Sequence, residues 1–176
     1  GGRIVSRNFA GRTVIARGSV LAASRTMKRG RHWSAQTVAA ATELLEQGTT
    51  ERIAGSQRSR LRARLRTITI EELSYHALGD RVTIWRRAGK ASVRSNAVPD
   101  DFTSTGDKLD VKVTQNAAAL ARQLRLLEDN DGDIIVVEVD TDAPAVIEDI
   151  ALFAYGDTRT SSAARQRLET RLAVLA

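Results

Sequence analysis

The chain has 176 residues, of which 42% are hydrophobic and 27% are charged, so it is a globular protein of one domain or two small ones and not a disordered chain. It contains no cysteine, which excludes disulfides and cysteine-ligated zinc or iron–sulfur sites. Because it also has neither a signal peptide nor a long apolar run, we expect a cytoplasmic protein without a membrane partner.

The formal net charge of +6 is divided unevenly along the chain. Residues 1–94 hold 19 Lys and Arg against 6 Asp and Glu, a net +13, whereas residues 95–176 hold 8 against 15, a net −7. We therefore expect a basic, mainly helical nucleic-acid-binding region at 1–94 and an acidic α/β regulatory or oligomerisation region at 95–176. The first suits a polyanion, and the second could serve protein contacts or cover the first.

Helical patterns dominate the basic region. Ser34 and Gly48 are a typical N-cap and C-cap for a helix ending at Gln47, and Thr69 begins a helix with acidic residues in its first turn. In chain order we predict a strand at 13–16, helices at 19–29, 34–47, 49–54, 57–67 and 69–78, and strands at 81–87 and 91–94. Successive helices joined by short turns predict a helix-turn-helix-like arrangement.

One of these segments, residues 57–67, has arginine at every second position from 58 to 66. Its two large apolar residues, Leu61 and Leu65, are four apart, and alanine, leucine and arginine favour a helix. Such a helix would pack through the two leucines and expose a dense cationic surface, with Arg58, Arg62 and Arg66 on one side of the leucine stripe and Arg60 and Arg64 on the other. Since the chain has only four lysines, the alternative is an arginine-rich composition with a merely solvated basic face.

The acidic region begins with a predicted linker at 96–106. A strand at 109–113, a helix from the N-cap Asn116 to Leu127, and a strand at 133–139 predict a β-α-β unit. Two apolar helices, at 145–155 and 160–175, follow, and they are candidates for a dimer or partner surface. The last helix is expected to bury Ala163, Ala164, Leu168, Leu172 and Leu175. The whole chain is therefore predicted to be α+β.

The candidate nucleic-acid-binding residues are the cations of the arginine helix and of the segment before Trp33. Arginine binds phosphate bidentately and also contacts guanine edges. The set comprises Arg25, Lys28, Arg29, Arg31, Arg58, Arg60, Arg62, Arg64 and Arg66. Trp33 and Trp85 are either base-stacking residues or core anchors.

A nuclease is the alternative. Pro99-Asp100 followed by Asp110-Val111-Lys112 has the form of a PD-(D/E)xK motif, in which two carboxylates hold Mg²⁺ and a lysine helps to activate water. In that case Asp100, Asp110 and Lys112 are catalytic and magnesium is the cofactor. Under the leading interpretation the chain has no catalytic residue, metal or cofactor. The order of elements, with Glu71 and Glu72 on a preceding helix, also suits the nuclease pattern.

The chain from Leu109 onward resembles the C-terminal part of the abortive-infection antitoxin and transcriptional-regulator proteins of high-GC bacteria. The resembling stretches are 109–113, 126–139 and 150–165, which include Leu-Glu-Asp-Asn-Asp-Gly-Asp and Tyr-Gly-Asp-Thr-Arg. The resemblance implies an N-terminal region that binds operator DNA and a C-terminal domain that serves regulation or antitoxin action. Residues 1–94 do not match that family's DNA-binding domain, so no contact residue is carried over. It also implies that Asp110 and Lys112 are structural.

Together these patterns predict a sequence-specific double-stranded DNA-binding regulator, such as a repressor or antitoxin-like protein, that uses the arginine helix. We expect a homodimer, because DNA regulators commonly match two half-sites, and a protein partner for the acidic half. A magnesium-dependent nuclease and a nucleic-acid-free module that binds an acidic protein remain the alternatives.

Overall fold

The computed structural model describes residues 6–9, 12–15, 30–88, 110–129 and 132–175, and these form an α+β structure. The predicted helix at 19–29, the strand at 91–94 and the linker at 96–106 lie outside the described residues. The elements are β1 (Ser6–Phe9), β2 (Arg12–Ile15), α1 (Ala35–Gln47), α2 (Gly55–Leu65), α3 (Ile70–Leu78), β3 (Val82–Arg87), β4 (Asp110–Thr114), α4 (Ala117–Leu124), β5 (Leu126–Glu128), β6 (Ile134–Glu138), α5 (Pro144–Tyr155) and α6 (Thr158–Leu175). Strands β1 and β2 form an antiparallel hairpin.

Four strands form a mixed sheet in the order β4-β6-β3-β5. Strands β4 and β6 are parallel and α4 lies between them in sequence, which confirms the predicted β-α-β unit. The prediction that its helix reaches Leu127 is wrong. Arg125 has a left-handed φ of 52°, which ends α4, and the buried Leu126 begins a strand that pairs with β3.

Alternate residues of β6 face two different apolar layers. Ile135 and Val137 pack in the main core with helices α1, α2, α3, α5 and α6, whereas Ile134 and Val136 pack against α4. The main core contains residues from both sides of position 94, and β3 pairs with strands of the acidic region. The predicted boundary at 94/95 itself lies outside the described residues.

The ends of α1 and α3 follow local sequence rules. Ser34 Oγ accepts a hydrogen bond from Thr37 N, and Gly48 has the left-handed φ of 71° that a C-cap requires. Thr69 and Glu72 form a complete capping box at the start of α3.

The prediction of a helix at 49–54 is wrong. Thr50 Oγ1 donates to Glu43 Oε2 at 2.6 Å, and Arg52 Nε lies 2.9 Å from Glu43 Oε1. These contacts hold the segment against α1, because Glu43 is only 4% exposed and needs both donors. Gly55, at a φ of 54°, then begins the arginine helix.

Helices α5 and α6 pack most of their large apolar residues into the core, whereas Val174 near the end of α6 is 81% exposed. Ile147 and Ile150 of α5 and Leu168 of α6 have no exposed surface. The prediction that Ala163 is buried is wrong, since it is exposed while Ala164 is buried. Arg167 and Arg171 of α6 both pair with the buried Asp149 of α5 and hold the two helices together. No helix among the described residues has the length and apolar character needed to cross a membrane.

Candidate nucleic-acid interface

Helix α2 lies on the core through one narrow apolar stripe. Leu61 is 7% exposed and Leu65 is 1% exposed, and both belong to the main core, so the predicted packing is confirmed. The helical repeat of about 3.6 residues places the arginines on two flanks of this stripe. We name Arg58, Arg62 and Arg66 the anchoring flank, and Arg60 and Arg64 the groove flank.

The anchoring flank binds backbone carbonyl groups of neighbouring segments. Arg62 donates to the carbonyl of Gly48, the C-cap of α1, and Arg66 Nε donates to the carbonyl of Leu175, at the end of α6, at 2.6 Å. Arg58 Nη1 donates to the carbonyl of Thr50 at 3.3 Å. Carbonyl groups at helix C-termini lack helical partners and attract cations. These three arginines therefore hold α2 in place.

The groove flank is arranged differently. Arg64 Nη2 donates to Nε2 of the buried His76 at 2.8 Å, and its guanidinium carbon lies 5.2 Å from the centroid of the Trp33 ring. Arg60 is exposed and makes no hydrogen bond or ion pair within the described part of the chain. The structure thus holds one guanidinium in a defined position and leaves its neighbour available to a ligand.

No carboxylate forms an ion pair with any of these five arginines among the described residues. Five arginines elsewhere in the described structure do pair with Asp or Glu, namely Arg52, Arg86, Arg165, Arg167 and Arg171. The arginine helix is therefore an uncompensated positive surface. The alternative that the acidic region neutralises it gains no support from the described contacts.

His76 connects the groove flank to the segment before α1. It is 2% exposed, and because a guanidinium can only donate, Nε2 accepts from Arg64 and the proton lies on Nδ1. Nδ1 then donates to the carbonyl of Arg31 at 2.9 Å, and the backbone N–H of Trp33 donates to the carbonyl of His76 at 3.1 Å. Burial is the main cause that lowers the pKa of His76 below its ordinary value, so the ring is neutral at pH 7.

The structure brings only part of the predicted cation set together. Arg31 is exposed, and its backbone carbonyl accepts a hydrogen bond from the His76 ring, which also binds Arg64. Arg25, Lys28 and Arg29 lie outside the described residues.

The two tryptophans have structural contacts. Trp33 is 7% exposed and its ring is stacked on His76, with 5.2 Å between centroids and an interplanar angle of 5°. Trp85 packs against the α4 layer, and its Nε1 donates to Thr83 Oγ1 at 2.7 Å. These contacts are those of core anchors rather than of exposed base-stacking platforms.

An open groove of about 490 Å³ lies between the start of α1 and the groove flank of α2. It is lined by Trp33, Ser34, Gln36, Thr37, Ile53, Gln57, Arg60, Leu61 and Arg64. Sequence reasoning missed Gln36, Gln57 and His76 as parts of this site. Neutral amides carry no sequence signal, and His76 belongs to another helix.

The described residues of the nuclease pattern form contacts with other protein side chains. Lys112 Nζ lies 2.8 Å from Asp110 Oδ1 on the edge strand β4, and Asp100 lies outside the described residues. Glu71 pairs with Arg165 of α6, and Glu72 completes the capping box of α3. No group of three potential metal ligands occurs in the part of the chain that the structure describes.

No protein-family model, curated protein or solved structure shows a significant match to this chain.

Proposed function

We propose that this protein is a sequence-specific double-stranded DNA-binding regulator, a repressor or antitoxin-like protein, that contacts DNA through the groove flank of α2. The observation that carries the proposal is an exposed helix with five arginines and no carboxylate partner among the described residues. Duplex DNA carries one negative charge per about 1.7 Å of its axis, so such a surface gains affinity by releasing counterions.

The different contacts of the two flanks of α2 support this function. The anchoring flank and the two buried leucines hold the helix, so Arg60 and Arg64 are presented from a rigid element. A rigid element loses little conformational entropy when it binds, and a guanidinium can contact two phosphate oxygens or the N7 and O6 atoms of guanine.

Helices α1, α2 and α3 are the helix-turn-helix-like unit of this proposal, with α2 as the helix that meets DNA. The connection from α1 to α2 spans 48–54 and is longer than the roughly three- or four-residue turn of that motif. Recognition therefore depends on α2 itself rather than on a standard motif geometry. Such a regulator would act in the cytoplasm as a homodimer, with its acidic region available to a partner protein.

Selection of bound duplexes from a random library tests the proposal. Wild type is expected to enrich a motif, whereas Arg60→Ala/Arg64→Ala is expected to lose enrichment if these residues contact bases and to weaken binding to all sequences if they contact phosphate. Arg87→Ala/Arg122→Ala removes the same charge from exposed sites on β3 and α4 and is the matched control. Absence of duplex binding by the wild type, or equal weakening by both double variants, would contradict the proposal.

A further inference from the structure

The groove beside α2 has the size of a small-molecule site. Its volume of about 490 Å³ lies within the roughly 300–1,000 Å³ typical of ligand pockets. A single phosphate group would leave most of this space to water. The dimensions therefore suit a ligand with an organic body as well as an anionic group.

The positively charged wall of the groove favours a negatively charged ligand. Arg60 and Arg64 are both in this wall, and none of the lining residues is acidic. His76 positions Arg64 through one terminal nitrogen, Nη2, and leaves the remaining N–H groups of the guanidinium for other acceptors. Two adjacent guanidinium groups without a carboxylate match a doubly charged phosphate monoester.

The rest of the lining suits a planar organic body with hydrogen-bonding edges. The half-buried Ile53 supplies apolar surface next to the two arginines, and the edges of the core residues Trp33 and Leu61, each 7% exposed, adjoin it. The Gln36 side chain is oriented by a hydrogen bond from Nε2 to the carbonyl of Arg52 at 2.7 Å, which leaves its oxygen as an acceptor. Gln57, on the same side of α2 as Arg60 and Arg64, adds a second amide.

We propose that this groove binds a nucleoside-monophosphate unit, with the phosphate between Arg60 and Arg64 and the sugar and base over the apolar wall. If the proposed DNA-binding function also holds, a bound nucleotide occupies the two arginines that contact DNA. The nucleotide would then act as an effector that releases the protein from DNA. This consequence rests on the proposed function, whereas the binding site itself does not.

Titration of the full chain with adenosine 5′-monophosphate tests the site by calorimetry. Tryptophan fluorescence of a Trp85→Phe variant provides a second readout, because the chain has two tryptophans and Trp33 lines the groove. We expect saturable binding, a loss of about tenfold or more in affinity for Arg60→Ala/Arg64→Ala, and a change below about twofold for Arg87→Ala/Arg122→Ala. No saturable binding, or equal losses in the two double variants, would overturn the proposal.

Titrations with inorganic phosphate alone and with adenosine alone test whether the groove also binds the organic part of the nucleotide. Inorganic phosphate and adenosine are each expected to bind at least about tenfold more weakly than the monophosphate, because each fills only part of the groove. Phosphate binding as tight as that of the monophosphate would overturn the assignment of a nucleotide unit.

A 5′-phosphorylated trinucleotide identifies the source of the nucleotide unit. Weaker binding than the monophosphate assigns a free nucleotide, and equal or tighter binding assigns a strand end. Either result supports a nucleotide-unit site.

Gel-shift measurements with duplex DNA separate the two proposals. DNA binding without monophosphate binding rejects only the nucleotide site, and monophosphate binding without DNA binding rejects only the regulator.

Discussion

Arg64 of the arginine helix donates a hydrogen bond to Nε2 of the buried His76, whose Nδ1 donates in turn to the carbonyl of Arg31. Two cationic segments that are distant in sequence are thus joined through one neutral imidazole. The neutral form is required, since protonated Nε2 could not accept from a guanidinium. This relationship links the position of a candidate contact residue to the stability of α3.

Replacement of His76 is expected to affect folding and the groove flank together. His76→Ala removes a buried ring that stacks on Trp33 and leaves the carbonyl of Arg31 without its donor, so we expect a loss of about 2–4 kcal/mol in the free energy of unfolding. Urea denaturation measures this loss. His76→Gln retains an acceptor and donors and is expected to lose less; an equal loss in the two variants would show that these hydrogen bonds contribute little.

The stability of the protein is expected to fall as the pH falls below 6.5. Burial lowers the pKa of His76 from its ordinary value of 6.5, and the neighbouring Arg64 and His32 act in the same direction against Glu72 and the Arg31 carbonyl. Between the folded and unfolded pKa values the unfolded chain binds more protons, so the contribution is full above pH 6.5 and is lost as the pH falls through the folded pKa. Denaturation midpoints from pH 7.5 to 5 measure the trend, and His76→Gln should flatten it.

The two flanks of α2 should differ in their effect on stability. Arg62→Ala removes a partly buried guanidinium that binds the C-cap carbonyl of α1, and we expect a loss of roughly 1–2 kcal/mol. Arg60→Ala should change stability by less than about 0.5 kcal/mol, because this exposed side chain makes no described hydrogen bond. Thermal and urea unfolding of the two variants provide the measurement, and equal effects would contradict the division into flanks.

DNA affinity should depend steeply on salt concentration, and the slope of that dependence should report the number of phosphate contacts. Each phosphate neutralised contributes about −0.9 to the slope of log affinity against log salt concentration. If Arg60 and Arg64 each contact a phosphate, the double variant should have a slope shallower by about 1.8 than that of wild type. Fluorescence anisotropy with one duplex across a salt series measures both slopes, and parallel lines would exclude phosphate contact by these residues.

Arg52 is expected to be a structural residue that holds the segment before α2 in place. It pairs with the buried Glu43 and with Asp140 and Asp142, and the hydrogen bonds to Asp140 and Glu43 raise its pKa further above the ordinary value. Arg52→Ala leaves the Glu43 carboxylate buried with Thr50 as its described donor, so we expect a loss of about 2–3 kcal/mol. Unfolding of the double variant Glu43→Gln/Arg52→Ala is the comparison, and recovery of stability in it would identify the unpaired charge as the cause.

The elements that could be predicted from sequence are those with strong local signals. Ser34 and Gly48 mark the ends of α1, and Thr69 with Glu72 marks the start of α3, because capping involves residues only a few positions apart. Leu61 and Leu65 identified the buried stripe of α2. The failures, at 49–54 and after Leu124, are segments where contacts with other elements override local preference: Glu43 binds the first, and β3 pairs with the second.

The sequence by itself determined that α2 is an arginine-rich helix with one buried stripe, because helical periodicity depends only on spacing along the chain. The same periodicity places Arg58, Arg62 and Arg66 on one side of that stripe and Arg60 and Arg64 on the other. It could not tell which side binds neighbouring segments and which side lines a groove, since all five are the same residue type. Only the tertiary structure decided this, because the partners of each guanidinium, the carbonyls of Gly48 and Leu175 on one flank and His76 on the other, come from segments that meet only when the chain folds.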